Sequence, residues 1–170
     1  MSKLYVDEIQ PKTTGGIINA KGMVIQVVHE STSTAVSQSS QTTAFVDTTL
    51  SASITPISSS SKILVTGYLS FYADNTGGNG NAEWNFAVCD GSNNILDGTT
   101  ADNEGYVFNQ LYDFGGKHTI NFLHAPNTTN EFTYKMRMNA KKSNNSLVLH
   151  CQKNGTGNNI SRITLMEIGG

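Results

Sequence analysis

The stretch NEFTYKMRMNA, residues 130–140, alternates without a break: Phe132, Tyr134, Met136 and Met138 fall on one side, Glu131, Thr133, Lys135 and Arg137 on the other. Successive side chains of an extended chain point to opposite faces, so a period of two predicts a β-strand with one face in a core and the other toward water. Moving outward, AEWNFAVCD (82–90) sets Ala82, Trp84, Phe86 and Val88 against Glu83, Asn85, Ala87 and Cys89. KILVTGYLSFY (62–72) sets Ile63, Val65, Leu69 and Phe71, with Gly67 among them, against Lys62, Thr66 and Ser70. Trp84, Phe86, Phe132, Tyr134 and Met136 are therefore expected to share one core.

Further strand-like runs are GMVIQVVHE, TTAFVDTTL, SASITPI, YVFNQLYDF, KHTINFLHA, SLVLHCQ and ISRITLMEI. Between them stand DNTGGNGN, DGSNNILDGTT, FGGK, APNTTN, KKSNNS and KNGTGNN, rich in the Gly and Asn that turns require. No segment has a helical period. About ten short strands without crossover helices predict an all-β fold, an antiparallel β-sandwich of jelly-roll type whose strand order stays open. Pro56 and Pro126 fall where strands begin, end or run at an edge, as the missing N–H demands.

Ser, Thr and Asn make up 54 of the 170 residues, while the charged share is 14% and the net charge −2. Such a balance excludes the clustered Lys and Arg that a nucleic-acid backbone needs. Lys141-Lys142, before Ser143-Asn144-Asn145, reads as a solvated turn. Met1-Ser2-Lys3 is not followed by an apolar leader segment, and no stretch reaches the length of a membrane span, so synthesis in the cytoplasm and no membrane insertion are expected. Cys89 and Cys151 read as buried free thiols, with a disulfide left open.

The amino terminus stands apart. LYVDEI, beginning at Leu4, is strand-like, stops before Pro11 and dissolves into Thr13-Thr14-Gly15-Gly16. A strand this short has unpaired N–H and C=O groups and becomes stable only when something else supplies the pairing partner. Residues 1–20 are accordingly assigned as an extended arm and 21–170 as the sandwich domain.

Chemistry is scarce. His29, His118, His124 and His150 are scattered, and His150-Cys151 points to opposite strand faces, so neither a metal nor a cofactor is expected. Asp97-Gly98 with Asp102-Asn103-Glu104 lacks EF-hand spacing and reads as an acidic solvated loop. No nucleophile elbow, zinc-protease helix or carboxylate pair is present, so the chain is not expected to be an enzyme. Tyr68 and Tyr72 lie opposite the core residues of their strand, where an aromatic face suits a sugar or a partner subunit. The loops 73–81 and 91–105 are the longest and richest in Asn and Gly, and Asn79, Asp97, Asp102, Asn103 and Tyr106 are the candidate receptor contacts within them. A host-surface glycan is the receptor class those groups suit.

KLYVDEIQPKTTGGIIN, the Ser/Thr-rich stretch leading into SASITPISSSSKILVTGYLSF, and the closing ISRITLMEI together resemble virion proteins of tailed bacteriophages, especially tail-fibre proteins of marine cyanobacterial phages. The resemblance covers about half of the chain and carries no catalytic motif. It implies a virion tail protein whose arm, through Leu4, Tyr5, Val6 and Ile9, docks on other tail or virion proteins or on sister chains, and whose β-sandwich is a homotrimeric fibre or fibre tip contributing to host attachment. A capsid decoration (head fibre) protein and a stand-alone carbohydrate-binding lectin module are the competing readings. Assembly separates them, because a fibre protein is an obligate oligomer and a lectin module need not be.

Overall fold

The computed structural model describes residues 21–39, 44–75, 82–98, 105–107, 114–143, 147–153 and 159–170. The arm, with Leu4, Tyr5, Val6 and Ile9, lies outside them. The described strands are β1 (Val24–Thr32), β2 (Val36–Gln38), β3 (Val46–Ile54), β4 (Lys62–Asn75), β5 (Ala82–Asp90), β6 (Gly105–Val107), β7 (Phe114–His124), β8 (Phe132–Ser143), β9 (Leu147–Cys151) and β10 (Ser161–Ile168). They form two packed antiparallel sheets.

One sheet is ordered β3-β8-β5-β6, and the other carries β1-β10-β4 with β7 on the far edge of β4. Two four-stranded sheets in these orders are the jelly-roll arrangement expected from the alternation. The short β2 and β9 extend the second sheet. β9 pairs with Phe71–Asn75 and β10 with Lys62–Tyr68, so the two strands lie end to end along one edge of β4. Gln152, in the left-handed region at φ 51°, begins the excursion between them. Its backbone N–H reaches Ser70 O at 3.1 Å, and its side-chain amide meets the Ser161 hydroxyl at 2.5 Å.

The core lies between the sheets. Ile63, Val65, Leu69, Leu149, Ile163 and Leu165 come from one sheet, and Leu50, Ile54, Trp84, Phe86, Tyr134, Met136 and Met138 from the other. Phe132 packs against the cluster from its edge. Phe71 meets the rings of Trp84 and Phe86 at 5.9 and 5.0 Å, which ties the two sheets through aromatic contacts. Gly67 explains itself here. Its φ is +152°, and a Cβ would sit 2.1 Å from the Arg162 carbonyl oxygen, so β10 can lie against β4 only where no side chain stands.

Several local expectations are corrected. TTAFVDTTL and SASITPI are one strand, β3, because the chain absorbs an irregularity between Asp47 and Ser51 rather than turning. Thr49 takes φ 63° there, and the Thr48 hydroxyl donates to Met136 O at 2.9 Å. FGGK is not a turn: Gly115 and Gly116 pair with Tyr72 and Phe71 inside the β7–β4 ladder. Lys141-Lys142 belongs to β8 rather than to a solvated turn. β5 is buried on both faces, since Glu83, Asn85, Ala87 and Cys89 are buried along with the core face. The segment after β5 folds back along it, with Ile95 bridging to Cys89. Cys89 and Cys151 are free and buried, as expected.

Candidate functional site

Of the loop residues singled out in the sequence, Asn79, Asp102 and Asn103 lie outside the described residues, and Tyr106 lies in β6 opposite Glu83. Asp97 is occupied locally. Its Oδ2 accepts from the Val88 N–H at 2.7 Å while Leu96 N donates to Val88 O at 2.8 Å, so the carboxylate pins its segment to β5. Asp90 organises the preceding turn by accepting from the N–H groups of Ser92 and Asn94 and from the Asn94 amide. Hydrogen bonding from the Asn94 side chain, opposed by desolvation and joined by the N–H groups of Asn94 and Ser92, holds the Asp90 carboxyl below the usual carboxylate range. The described half of this loop is thus a fixed turn.

The outer face of the β1-β10-β4-β7 sheet carries more. Paired residues on neighbouring strands share a face, so the register reads out rows of adjacent side chains. One row runs Val27, Met166, Leu64, Leu123 across all four strands. Val24 and Ile168 pair beside it. Val27 and Leu123 are 56% and 53% exposed, and Met23 and Val24 are also exposed, so this is a contiguous apolar surface. The next row, His29, Thr164, Thr66 and Asn121, is polar, with the His29 ring 2.9 Å from the Thr164 hydroxyl.

Toward the opposite end of the same face stand Tyr68 and Tyr72, where the alternation of β4 had put them. What the alternation could not show is their surroundings. The Lys117 ammonium lies 4.4 Å from the Tyr68 ring centre, and the Arg162 guanidinium, 5.9 Å away, donates to the Tyr68 hydroxyl. The Lys153 ammonium lies 3.8 Å from the Tyr72 ring centre and is steadied by Asp74 Oδ2 at 3.5 Å. Tyr72 stands between Gly115 on β7 and His150 on β9. The glycine leaves room beside the ring that a side chain would fill, since a Cβ there would come within 3.2 Å of Tyr72 Cδ2.

The result is a cleft of about 430 Å³ lined by Ser70, Phe71, Tyr72, Gly115, Gly116, Lys117, Lys153 and Asn159. Burial, with Lys153 beside it, pushes the His150 imidazole below its ordinary pKa, so at neutral pH the positive charge there comes from lysine and arginine. Sequence reasoning missed Lys117, Lys153 and Arg162 because they lie on three different strands or connections, with no spacing in common.

Among the described residues, no three His, Cys, Asp or Glu side chains are grouped so as to hold a metal ion. No helix among them is long and apolar enough to cross a membrane.

No protein-family model matches the chain, and no curated protein does. Among solved structures, a chain in the structure of infectious bursal disease virus, Gx strain, aligns with 98% of this chain at 12% identity and a TM-score of 0.39. The alignment spans 43% of that viral chain.

Proposed function

We propose that the chain is a virion structural protein, a homotrimeric tail fibre or fibre-tip protein of a tailed phage. Its arm attaches it to other tail or virion proteins, and its outer sheet face contributes to contact with the host surface. The observation that carries the structural role is the apolar row Val27, Met166, Leu64, Leu123 with its neighbours Val24 and Ile168, exposed at Val24, Val27 and Leu123 and half-buried between them. Contiguous apolar surface of this kind costs solubility unless a partner covers it.

The occupant is a second copy of the same chain. No carboxylate stands at the paired positions of this row or of the polar row beside it, so neighbouring copies can close over them around a threefold axis without burying an unpaired acid. A standard interface takes about 20–30 residues from each side, more than these rows supply. Leu4, Tyr5, Val6 and Ile9 of a neighbouring copy provide further apolar groups, and the chain leading to them departs at Lys21, two residues from Met23 at the edge of the patch. The phage and tail assignment draws on the sequence resemblance; the row favours an assembling protein over a monomeric lectin module.

Solution mass measured for the full chain and for Val27→Glu/Leu123→Glu tests this reading. A trimer that falls to a monomer with an unchanged circular dichroism spectrum is expected. A full chain that is monomeric at micromolar concentration would remove the structural role.

A further inference from the structure

We propose that the cleft beside Tyr72 binds an acidic sugar, a hexuronate-type residue whose carboxylate is taken by Lys117 and Lys153. This deepens the host-contact half of the reading above and rests on it for the biological setting, while the binding itself is a property of the isolated protein.

The argument begins with the two ammonium groups. Both line the same cleft, and each lies over a tyrosine ring, at 4.4 Å for Lys117 and 3.8 Å for Lys153. A carboxylate is a stronger partner for an ammonium than a ring face is, so an incoming acid displaces a weak contact and gains a strong one. Asp74 is the carboxylate within ion-pair distance of Lys153, and at 3.5 Å it leaves that ammonium partly exposed. Arg162, on the neighbouring strand and hydrogen-bonded to the Tyr68 hydroxyl, adds a third positive group to the same face.

The remainder of the lining suits a sugar ring. Tyr72 provides an aromatic wall, Ser70 a hydroxyl, and the side-chain-free Gly115 beside the ring lets a ligand approach the β7 backbone closely. At about 430 Å³ the cleft falls within the range of small-ligand sites, about 300–1,000 Å³. A single-stranded nucleic acid needs instead a groove tracking several nucleotides. A neutral sugar would use the aromatic wall and leave both ammonium groups where they are.

The test is calorimetric titration of the full-length protein with a uronate oligosaccharide, its neutral counterpart of the same linkage, a sulfated oligosaccharide and oligo-dT. Binding of the uronate at least tenfold tighter than the neutral and sulfated sugars, weakening with added salt, is expected. Lys117→Met/Lys153→Met should lose that tenfold preference with an unchanged circular dichroism spectrum, and Lys117→Arg/Lys153→Arg should keep it. Equal affinity for the neutral sugar, stronger binding of the sulfated sugar or of oligo-dT, no binding at all, or full uronate binding by the methionine pair would each overturn the proposal. If the methionine pair does not fold, the sugar preference and its salt dependence in the unaltered protein decide. Val27→Glu/Leu123→Glu keeps the uronate affinity if the cleft is right, whatever becomes of assembly, so failure of the cleft and failure of the assembling role are read separately.

Discussion

Glu167 is fully buried at the end of β10, yet it is a carboxylate with donors around it. Gln26 Nε2 reaches Oε2 at 2.6 Å and the Ile57 N–H reaches Oε1 at 2.8 Å, so one side chain ties β1, β10 and the connection after β3 together. Burial by itself would raise this carboxyl, but the Gln26 amide and the backbone N–H groups outweigh it and hold it below its ordinary value of 4.5. A carboxyl whose folded pKa is depressed contributes stability that is present above pH 4.5 and lost as pH falls through the lower folded value. The urea midpoint of the native protein should therefore decline from about pH 4.5 downward. Glu167→Gln should be less stable at pH 7 and show a shallower acid decline; parallel curves would mean that other acids account for the loss. The thiols behave oppositely. Burial pushes Cys89 up to about 11 and raises Cys151 further. Native protein at pH 8 should resist a thiol reagent over an hour, since the Cys89 thiolate fraction is on the order of one in a thousand, and should label at both cysteines in urea. Rapid labelling of either one before unfolding would show that its strand opens locally.

At the scale of the element, β4 is the strand on which the molecule is organised. Its fourteen residues pair with β10 and β9 along one edge and with β7 along the other. Such central strands read as apolar on the core face, and Ile63, Val65 and Leu69 are fully buried there. The interruption at Gly67 is what lets β10 approach, because a Cβ would overlap the Arg162 carbonyl and the φ of +152° disfavours any L side chain. Gly67→Ala should cost about 3 kcal/mol or more, measured by urea unfolding, because neither the clash nor the strain can be relieved without parting two paired strands. Thr66→Ala, on the outer face of the same strand, should cost well under half of that. Equal effects would mean that β10 shifts to make room. On β7, the same absence of a side chain does different work: Gly115 leaves room beside the Tyr72 ring on the outer face.

For the whole molecule, the two ends of one sheet face have opposite characters, apolar around Val27 and Leu123 and basic-aromatic around Tyr72. In the assembly proposed above, the first end is the part a neighbouring copy would cover and the second the part offered to a ligand. The arm belongs to this scale. The sandwich holds its own continuous core, so a chain of residues 20–170 is expected to stay folded, with a melting temperature within a few degrees of the full chain, and to lose incorporation into particles. In the assembly proposed above, burial of Leu4, Tyr5, Val6 and Ile9 against a partner would contribute about 1.5–3 kcal/mol each before the ordering cost, repeated at three equivalent sites. Truncated protein that still enters particles would end the anchoring role, and truncated protein that unfolds would place the arm in its own domain.

The alternation in 130–140, 82–90 and 62–72 determined the fold class, the inward face of β8 and β4, and the core membership of Trp84, Phe86, Tyr134 and Met136, because a period of two is a local property that burial must respect. Proline at strand ends was legible from local chemistry too, whereas the cysteines read as buried from their small apolar thiols and only the structure shows them unpaired. What the local pattern could not carry was decided by which strands became neighbours. β5 is buried on both faces, so Glu83 and Asn85 are buried although their alternation says exposed. FGGK reads as a turn from composition and becomes a strand because β4 offers eleven paired positions to β7. The Val27–Leu123 row and the Lys117–Lys153 cleft exist in no single segment. Each is assembled from residues far apart in the chain by antiparallel register, a non-local choice among pairings that only the packing of two complete sheets resolves.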